Sequence, residues 1–273
     1  MLTTLPGAPT LAIDDLVTGT VSLVKPMLVY RFAGTAGDVV IAQGSPLSGG
    51  TPCLQMFGPD GARIGLSQCS ESGPRIQSAL SHSGEHTVLV TKASNDRGVT
   101  SAAFALTLER LVPASPTARA IAFGATKDDA LTPSGRIHLY TFPGVAKTPV
   151  VVRVARRATP LPATPCVELF RSDATPVGSR VCSAFGLATL EVILDQTGPH
   201  TILVTEASNR TLAYTLTLPG PSIQTVSPSA GGNAGRVAVG IGVTGLAIQP
   251  GATVKLVGGG GPDITGTGVA VAP

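Results

Sequence analysis

An acid, a hydroxyl and an imidazole occur twice along the chain in the same order. The two sets are Asp60, Ser70 and His86, and Asp173, Ser183 and His200. These are the side-chain types of a nucleophilic hydrolase triad. However, neither serine lies in a Gly-x-Ser-x-Gly nucleophile elbow, and Asp60 falls in a Pro-Asp-Gly turn, where a carboxylate bonds to nearby backbone amides. A duplicated fold repeats its structural residues, so we predict that the chain is not an enzyme.

Four cysteines form two pairs of equal spacing. Cys53 and Cys69 lie in TPCLQMFGPDGARIGLSQC, and Cys166 and Cys182 lie in TPCVELFRSDATPVGSRVC. If each stretch is a β-hairpin, its two cysteines face each other on neighbouring strands, within disulfide reach. A zinc site would favour a Cys-x-x-Cys spacing, which neither pair has. We therefore predict two disulfides, one in each stretch, with free thiols and a bound metal as the alternatives.

Acidic residues in loops are the remaining candidates for chemistry. Carboxylates that could supply oxygen ligands to calcium are Asp14, Asp15, Asp38, Asp128 and Asp129. No Asp-x-Asp-x-Asp-Gly loop is present, and acidic pairs are usually solvated turn residues. We expect no cofactor, with calcium at these carboxylates as the alternative. The sequence Asn209-Arg-Thr211 is a glycosylation motif that matters only in a host that glycosylates.

The elements that position these residues are repeated. Tyr30-Arg-Phe-Ala-Gly34 returns as Tyr140-Thr-Phe-Pro-Gly144, and four further landmarks return with an offset between 110 and 114 residues. So stable an offset is typical of a duplicated domain. We predict one copy at residues 8–111, a short proline-containing linker at 112–116, and a second copy at 117–218. Residues 221–273 follow a different pattern.

Composition and periodicity indicate an all-β protein. The chain has 33 glycines, 23 prolines, no tryptophan and 13% charged residues, which favours short strands joined by tight turns. Apolar and polar residues alternate in runs such as DVVIAQ and FALTL, and period two indicates half-buried strands. We predict two tandem antiparallel β-sandwiches of jelly-roll type, since turn signals separate the runs.

Charge and hydropathy exclude two classes of partner. A formal net charge of +3 is too small for the electrostatic footprint of a nucleic-acid-binding protein. No run of about 18 uncharged apolar residues occurs, so we expect no membrane span. The partners that remain are other protein subunits or a surface polysaccharide.

The landmarks of each copy resemble a known family. The order Tyr-x-Phe-x-Gly, Gly-Asp-x-Val-Ile, a Pro-Asp-Gly turn, Gly-x-His-Thr-x-Leu-Val and Phe/Tyr-x-Leu-Thr-Leu is similar to the bacterial pre-peptidase C-terminal (PPC) domain. That family is a β-sandwich appended to secreted proteases and other exoproteins. The second copy departs from it, with Ser172-Asp-Ala-Thr-Pro176 in place of the Pro-Asp-Gly turn. The resemblance implies the sandwich fold in both copies, and this departure argues against a ligand-binding turn that both copies share.

Residues 221–273 resemble the start of an IPT/TIG domain, an immunoglobulin-like module of cell-surface and extracellular proteins. The resemblance rests on Pro221-Ser-Ile-Gln-Thr-Val-Ser-Pro228, on Gly245-Leu246, where the family usually has Gly-Phe, and on Pro250-Gly-Ala-Thr-Val-Lys-Leu256. The family is longer than this segment. We therefore expect a partial immunoglobulin-like β-sandwich here.

The sequence favours a secreted or cell-surface role, because disulfides form in oxidising compartments. The predicted function is a non-catalytic spacer, adhesion or ligand-binding module of a larger bacterial exoprotein. One alternative is a carbohydrate-binding accessory module of a secreted hydrolase, which would need exposed aromatic platforms. Tyr30, Tyr140 and Tyr214 lie in alternating strands that favour core packing. Another alternative is a self-assembling subunit of a filament or surface layer, joined at sheet edges.

The cysteine prediction is tested by intact-mass spectrometry. We expect the native chain to be lighter than the reduced chain by the mass of four hydrogen atoms, with each link inside one copy. A reduced chain that carries zinc would contradict both the hairpin and the extracellular location.

Overall fold

Strands make up the regular structure of the chain in the computed structural model, which describes residues 7–157, 163–228, 240–246, 248, 252–256 and 264–270. No helix occurs in this described part. The all-β class that the sequence predicts is confirmed. Likewise, no part of the described chain forms a helix with the length and hydrophobicity needed to cross a bilayer.

The first eight strands form two antiparallel four-stranded sheets, which we call the first sandwich. The strands are β1 (Leu16–Ser22), β2 (Met27–Gly34), β3 (Val39–Gly49), β4 (Pro52–Phe57), β5 (Arg63–Cys69), β6 (Arg75–Ala79), β7 (Gly84–Lys92) and β8 (Ser101–Val112). Their sheet orders are β1-β8-β3-β6 and β2-β7-β4-β5. Between the sheets lies an apolar core that includes Tyr30, Phe32, Val40, Met56 and Phe104.

The next nine strands form the second sandwich. They are β9 (Arg119–Ala120), β10 (Ala125–Leu131), β11 (His138–Gly144), β12 (Pro149–Arg156), β13 (Pro165–Phe170), β14 (Val181–Cys182), β15 (Leu187–Ile193), β16 (Gly198–Glu206) and β17 (Leu212–Leu218). The sheet orders are β10-β17-β12-β15 and β14-β13-β16-β11-β9. The short β9 pairs in parallel with β11, and the other pairs are antiparallel. Val112, which the sequence places in the linker, still belongs to β8 and pairs with Val39.

Four short strands are described after the second sandwich: β18 (Ser222–Ser227), β19 (Gly242–Leu246), β20 (Lys255–Leu256) and β21 (Ile264–Thr265). β18 pairs with β19, and β20 pairs with β21, both antiparallel. The sequence predicts the partial immunoglobulin-like module for segment 221–273, and residues 229–239, 247, 249–251, 257–263 and 271–273 of that segment lie outside the described residues.

The cysteine stretches fold as hairpins in which each cysteine pair shares one register position. Cys53 is the strand partner of Cys69, and Cys166 is the partner of Cys182. Both pairs are disulfide-bonded, with Cα–Cα distances of 4.1 Å. The links therefore tie each hairpin across its own two strands, at equivalent places in the two sandwiches.

β3 and β8 differ from the sequence prediction because they are buried on both faces. Half-buried strands at DVVIAQ and FALTL would leave Gln43 and Thr107 facing water, yet both are buried, as is Glu109 on β8. They lie on the outer face of sheet β1-β8-β3-β6, and that face packs against the outer face of sheet β14-β13-β16-β11-β9. The two sandwiches are consequently stacked face to face, as four layers of sheet.

An apolar cluster occupies the centre of this interface. Its buried members come from both sandwiches: Ile41, Leu111, Ile137, Leu139, Phe170, Ala174 and Leu203. Burial of side chains of this size stabilises an interface by roughly 1.5–3 kcal/mol each before entropy is subtracted. The cluster therefore favours a fixed arrangement of the sandwiches.

Hydrogen bonds and an ion pair surround the apolar cluster. The Gln43 amide Nε2 donates to Asn209 Oδ1 over 2.6 Å, and Asn209 Nδ2 donates to the Ser72 carbonyl over 2.7 Å. Arg75 Nη1 lies 2.5 Å from Glu168 Oε1 in a part-buried pair. Buried polar groups are costly unless they have partners, so these contacts explain how a polar face can be buried here.

The interface also depends on one glycine. A Cβ on Gly73 would lie 1.9 Å from Asn209 Nδ2 and 2.5 Å from the Gly44 carbonyl oxygen. Gly73 also has φ +104°, in the left-handed region that favours glycine. The backbone of the first sandwich can therefore reach Asn209 only because residue 73 has no side chain.

We expect Gly73→Ala to lower the free energy of unfolding by at least about 2 kcal/mol, since it adds a clash to the backbone strain. Gly98→Ala is the matched control, because Gly98 has φ +74° with nothing within 4 Å of an added Cβ. The control should cost about 1 kcal/mol. Urea denaturation measures both. Equal losses in the two variants would show that the contact with Asn209 is unimportant.

Candidate functional site at the junction of the two sandwiches

A polar cavity of about 320 Å³ lies where the two sandwiches meet. The first sandwich contributes the segment before β1 and the end of β8, and the second contributes β9, β10 and the start of β11. The charged or titratable residues in its wall are Asp14, Glu109, Arg119, Asp129, Arg136 and His138. We call this space the junction cavity.

Arg136 closes one side of the junction cavity across the sandwich boundary. Its Nη1 donates to the Asp14 backbone carbonyl over 2.7 Å and lies 3.2 Å from the Asp14 carboxylate oxygen Oδ1. Asp14 has φ +74°, a left-handed conformation that Asp tolerates better than most residues. A charge of the second sandwich is thereby neutralised by the first.

On the other side, a hydrogen-bonded network runs from Asp129 into the core of the second sandwich. The Tyr140 hydroxyl donates to Asp129 Oδ2 over 2.6 Å and lies 2.7 Å from the Tyr214 hydroxyl. His138 Nδ1 lies 2.7 Å from the same Tyr214 hydroxyl. Arg119 forms an ion pair with Asp129 at the mouth of the network. Every member therefore has a partner.

The surroundings of this network decide its protonation. Burial, reinforced by the nearby Arg119 and Arg136 guanidinium groups, lowers the pKa of His138 to about 4. Burial also raises the pKa values of Tyr140 and Tyr214 above the usual range for a phenol. At neutral pH His138 is therefore an uncharged imidazole, and both phenols keep their protons.

Glu109 differs from the other charged residues of the junction cavity, because one of its carboxyl oxygens has no partner among the described residues. It is 2% exposed, and its Oε2 has no hydrogen-bond partner among the described residues. Burial, together with the neighbouring carboxylate of Asp14, raises the pKa of Glu109 to about 8. Two carboxylates both accept hydrogen bonds, so Glu109 can bond to Asp14 only while it carries a proton. The site thus holds an acidic group that is neutral near pH 7.

The calcium candidates are spread over separate places. Asp15 accepts a bond from the Ala12 amide, Asp38 lies 3.6 Å from Arg110, and Asp128 lies 3.4 Å from Arg157. Asp14 and Asp129 both line the junction cavity, each beside an arginine. Within the described chain, no group of three or more His, Cys, Asp or Glu side chains could hold a metal ion. Calcium binding stays a prediction.

The triad-like residues of the first copy each have partners of their own. Asp60 Oδ1 accepts from the Ala62 amide in the hairpin turn, and the Ser70 hydroxyl lies 2.9 Å from that of Ser72. His86 is fully buried and stacks on Phe32, with ring centroids 5.0 Å apart. Asp60 and Ser70 are thus held by local contacts, whereas His86 Nε2 is buried without a hydrogen-bond partner among the described residues.

The second copy repeats the roles of the aspartate and the histidine. Asp173 Oδ1 accepts from the Thr175 amide, and the Ser183 amide donates to the Pro165 carbonyl. His200 stacks on Phe142, with ring centroids 5.6 Å apart, as His86 stacks on Phe32. The repetition is explained by the structure of the sandwich.

Sequence reasoning missed most of the junction cavity. It named Asp14 and Asp129 but not Glu109, Arg136 or His138. The alternation in Arg136-Ile-His138 does place two polar side chains on one face of a strand, which was a usable signal. Because Arg136 bonds to Asp14 of the other copy, the sequence of one copy could not reveal that neighbour.

Comparisons with known proteins give no family and only distant likenesses to solved structures. No family model matches the chain, and no curated protein matches it. Similar solved structures include the pre-peptidase C-terminal domain of a collagenase from Bacillus anthracis, at 10% identity and a TM-score of 0.32, with 39% of this chain and 99% of that chain covered. Another is PliG of Aeromonas hydrophila, a periplasmic inhibitor of g-type lysozyme, at 13% identity and a TM-score of 0.27, with 40% and 92% covered. At such scores the likeness assigns no activity, ligand or partner.

The two shifted pKa values predict a measurable pH dependence of stability. The raised pKa of Glu109 stabilises the fold below about pH 4.5, and this contribution is lost as pH rises through about 8. The lowered pKa of His138 stabilises above about pH 6.5, and that contribution is lost as pH falls through about 4. Between pH 4.5 and 6.5, the Glu109 contribution makes the free energy of unfolding fall with rising pH, whereas the His138 contribution makes it rise. From pH 6.5 to 8, of these two groups only Glu109 still changes the free energy of unfolding with pH.

We therefore expect the free energy of unfolding to fall from pH 6.5 to 8 by up to about 1.4 kcal/mol per pH unit. Glu109→Gln should remove this slope, because glutamine does not titrate. Glu191→Gln, at an exposed position on β15, should keep it. Urea denaturation at pH 6.5 and 8 gives the values. An unchanged slope in Glu109→Gln would assign the effect to other groups.

Proposed function

We propose that this chain is a non-catalytic module of an extracellular or cell-surface bacterial protein, and that it holds neighbouring parts of that protein at a fixed spacing and orientation. In this proposal residues 8–111 and 117–218 are PPC-like sandwiches, and residues 221–273 are a partial IPT/TIG-like module. The observation that carries the proposal is the face-to-face interface between the two sandwiches.

The interface supports a rigid spacer because its apolar and polar contacts constrain different motions. Rotation of one sandwich on the other would expose the cluster around Ile41 and Leu203 to water. Sliding would break the bonds that Asn209 makes to Gln43 and Ser72. Interfaces of mobile domains are typically more polar and lack such a core.

The disulfides support the extracellular part of the proposal. Each closes a hairpin of sequence separation 16, which in the chain-entropy model contributes about 3 kcal/mol. Such links persist outside the reducing cytosol.

A carbohydrate-binding role has less support from the described residues. Sugar sites in sandwiches use exposed aromatic faces, and the three tyrosines are 5% exposed or less. Phe185, which is 98% exposed, stands as a single aromatic residue next to β14. Assembly through sheet edges stays a prediction.

Residual dipolar couplings test the spacer proposal. If the two sandwiches form one rigid body, couplings from both should fit a single alignment tensor. A variant that combines Gln43→Ala with Asn209→Ala removes the hydrogen bonds of Asn209 to Gln43 and Ser72. Its couplings should need two tensors, or one tensor of reduced magnitude. Two independent tensors for the unmodified chain would contradict the proposal.

A further inference from the structure

The charges in the junction cavity leave one carboxyl group without a cationic partner. Arg136 neutralises Asp14, and Arg119 neutralises Asp129. His138 contributes no charge at neutral pH, since burial and the two arginines disfavour its protonation. Among the described residues Glu109 has no ion pair. An ionised Glu109 would thus give the cavity a surplus of one negative charge.

Glu109, the group that would carry this surplus charge, is a buried residue in the wall of the cavity. It is only 2% exposed, and its Oε2 has no hydrogen-bond partner in the part of the chain that the structure describes. An unpaired buried carboxyl group is costly, and a protein can lower that cost either with a proton or with a bound cation. From the geometry we propose that the junction cavity binds a compact organic cation through a primary ammonium group, which pairs with Glu109.

Several features favour an ammonium group over a metal ion. One positive charge balances the surplus of one carboxylate, whereas a divalent ion would leave an excess beside Arg119 and Arg136. The described residues also supply no set of three metal-ligating side chains. An ammonium group needs hydrogen-bond acceptors instead, and the carboxyl groups of Glu109 and Asp14 and the hydroxyl of Thr132 lie in the wall.

The size of the cavity limits the ligand. About 320 Å³ is at the lower end of the range for small-molecule sites. A linear amine of a few carbon atoms, or the end of a lysine-like chain, fits that volume. Ile137 and Leu139 also line the cavity, although both are buried in the apolar cluster of the interface.

Binding must be coupled to the release of a proton. Near pH 7 Glu109 carries a proton, because burial and Asp14 raise its pKa to about 8. The ammonium ion brings its own three protons, so pairing ionises Glu109 and sends one proton to solvent. Affinity should therefore rise about tenfold per pH unit up to about pH 8. This inference goes beyond the spacer role and does not depend on it.

Isothermal titration calorimetry of the full chain with n-butylammonium chloride tests the proposal. We expect saturable binding that is stronger at pH 8 than at pH 7, with about one proton released at pH 7, measured in two buffers of different ionisation enthalpy. Tetramethylammonium, which has no N–H donor, and n-butanol, which has no charge, should bind at least tenfold more weakly.

Variants locate the binding in the junction cavity. Glu109→Gln should weaken n-butylammonium binding at least tenfold and abolish its pH dependence, while Glu191→Gln should bind as the unmodified chain does. Circular dichroism would verify that each variant is folded. The proposal is overturned if the folded chain binds no amine, if Glu109→Gln binds equally well, if n-butanol matches the amine, or if calcium chloride binds in its place. Dipolar couplings report the spacer role separately, so either idea can fail alone.

Discussion

The second sandwich covers the face of sheet β1-β8-β3-β6 that carries Gln43, Thr107 and Glu109. The polar groups on this face are therefore removed from water. A buried amide, hydroxyl or carboxyl group needs a partner. Asn209 is the hydrogen-bond partner of Gln43, and the Gly135 carbonyl accepts a hydrogen bond from the Thr107 hydroxyl over 2.9 Å. Glu109 has no ionic partner among the described residues, and burial together with the neighbouring Asp14 carboxylate raises its pKa.

The two copies have diverged so that only one pair of faces fits. Asn209 lies at the interface, whereas its repeat counterpart Asn95 is exposed. Arg153 in the second copy aligns with Gln43 in the first, and Arg153 is exposed. An exposed arginine at this position disfavours packing of a further sandwich.

The sequence was sufficient for the features that are local to one copy. The spacing of Cys53 and Cys69 and the alternation in β2 and β7 depend on neighbouring residues of a single hairpin or sheet, so pattern reasoning reached the fold class. The junction cavity depends on contacts between copies. A buried polar face and a solvated one have the same alternation, so Gln43 and Glu109 carried no sign of burial. Only the packing of the second copy distinguishes them.

The central claim is that the outer faces of two sheets, one from each sandwich, form a shared apolar core. Nuclear Overhauser contacts between methyl groups measure this most directly in the intact chain. The structure predicts contacts between the methyl groups of Ile41 or Leu111 and those of Leu139 or Leu203. If these methyl groups instead showed contacts only within their own sandwich and were accessible to a soluble paramagnetic probe, the stacked arrangement would be wrong.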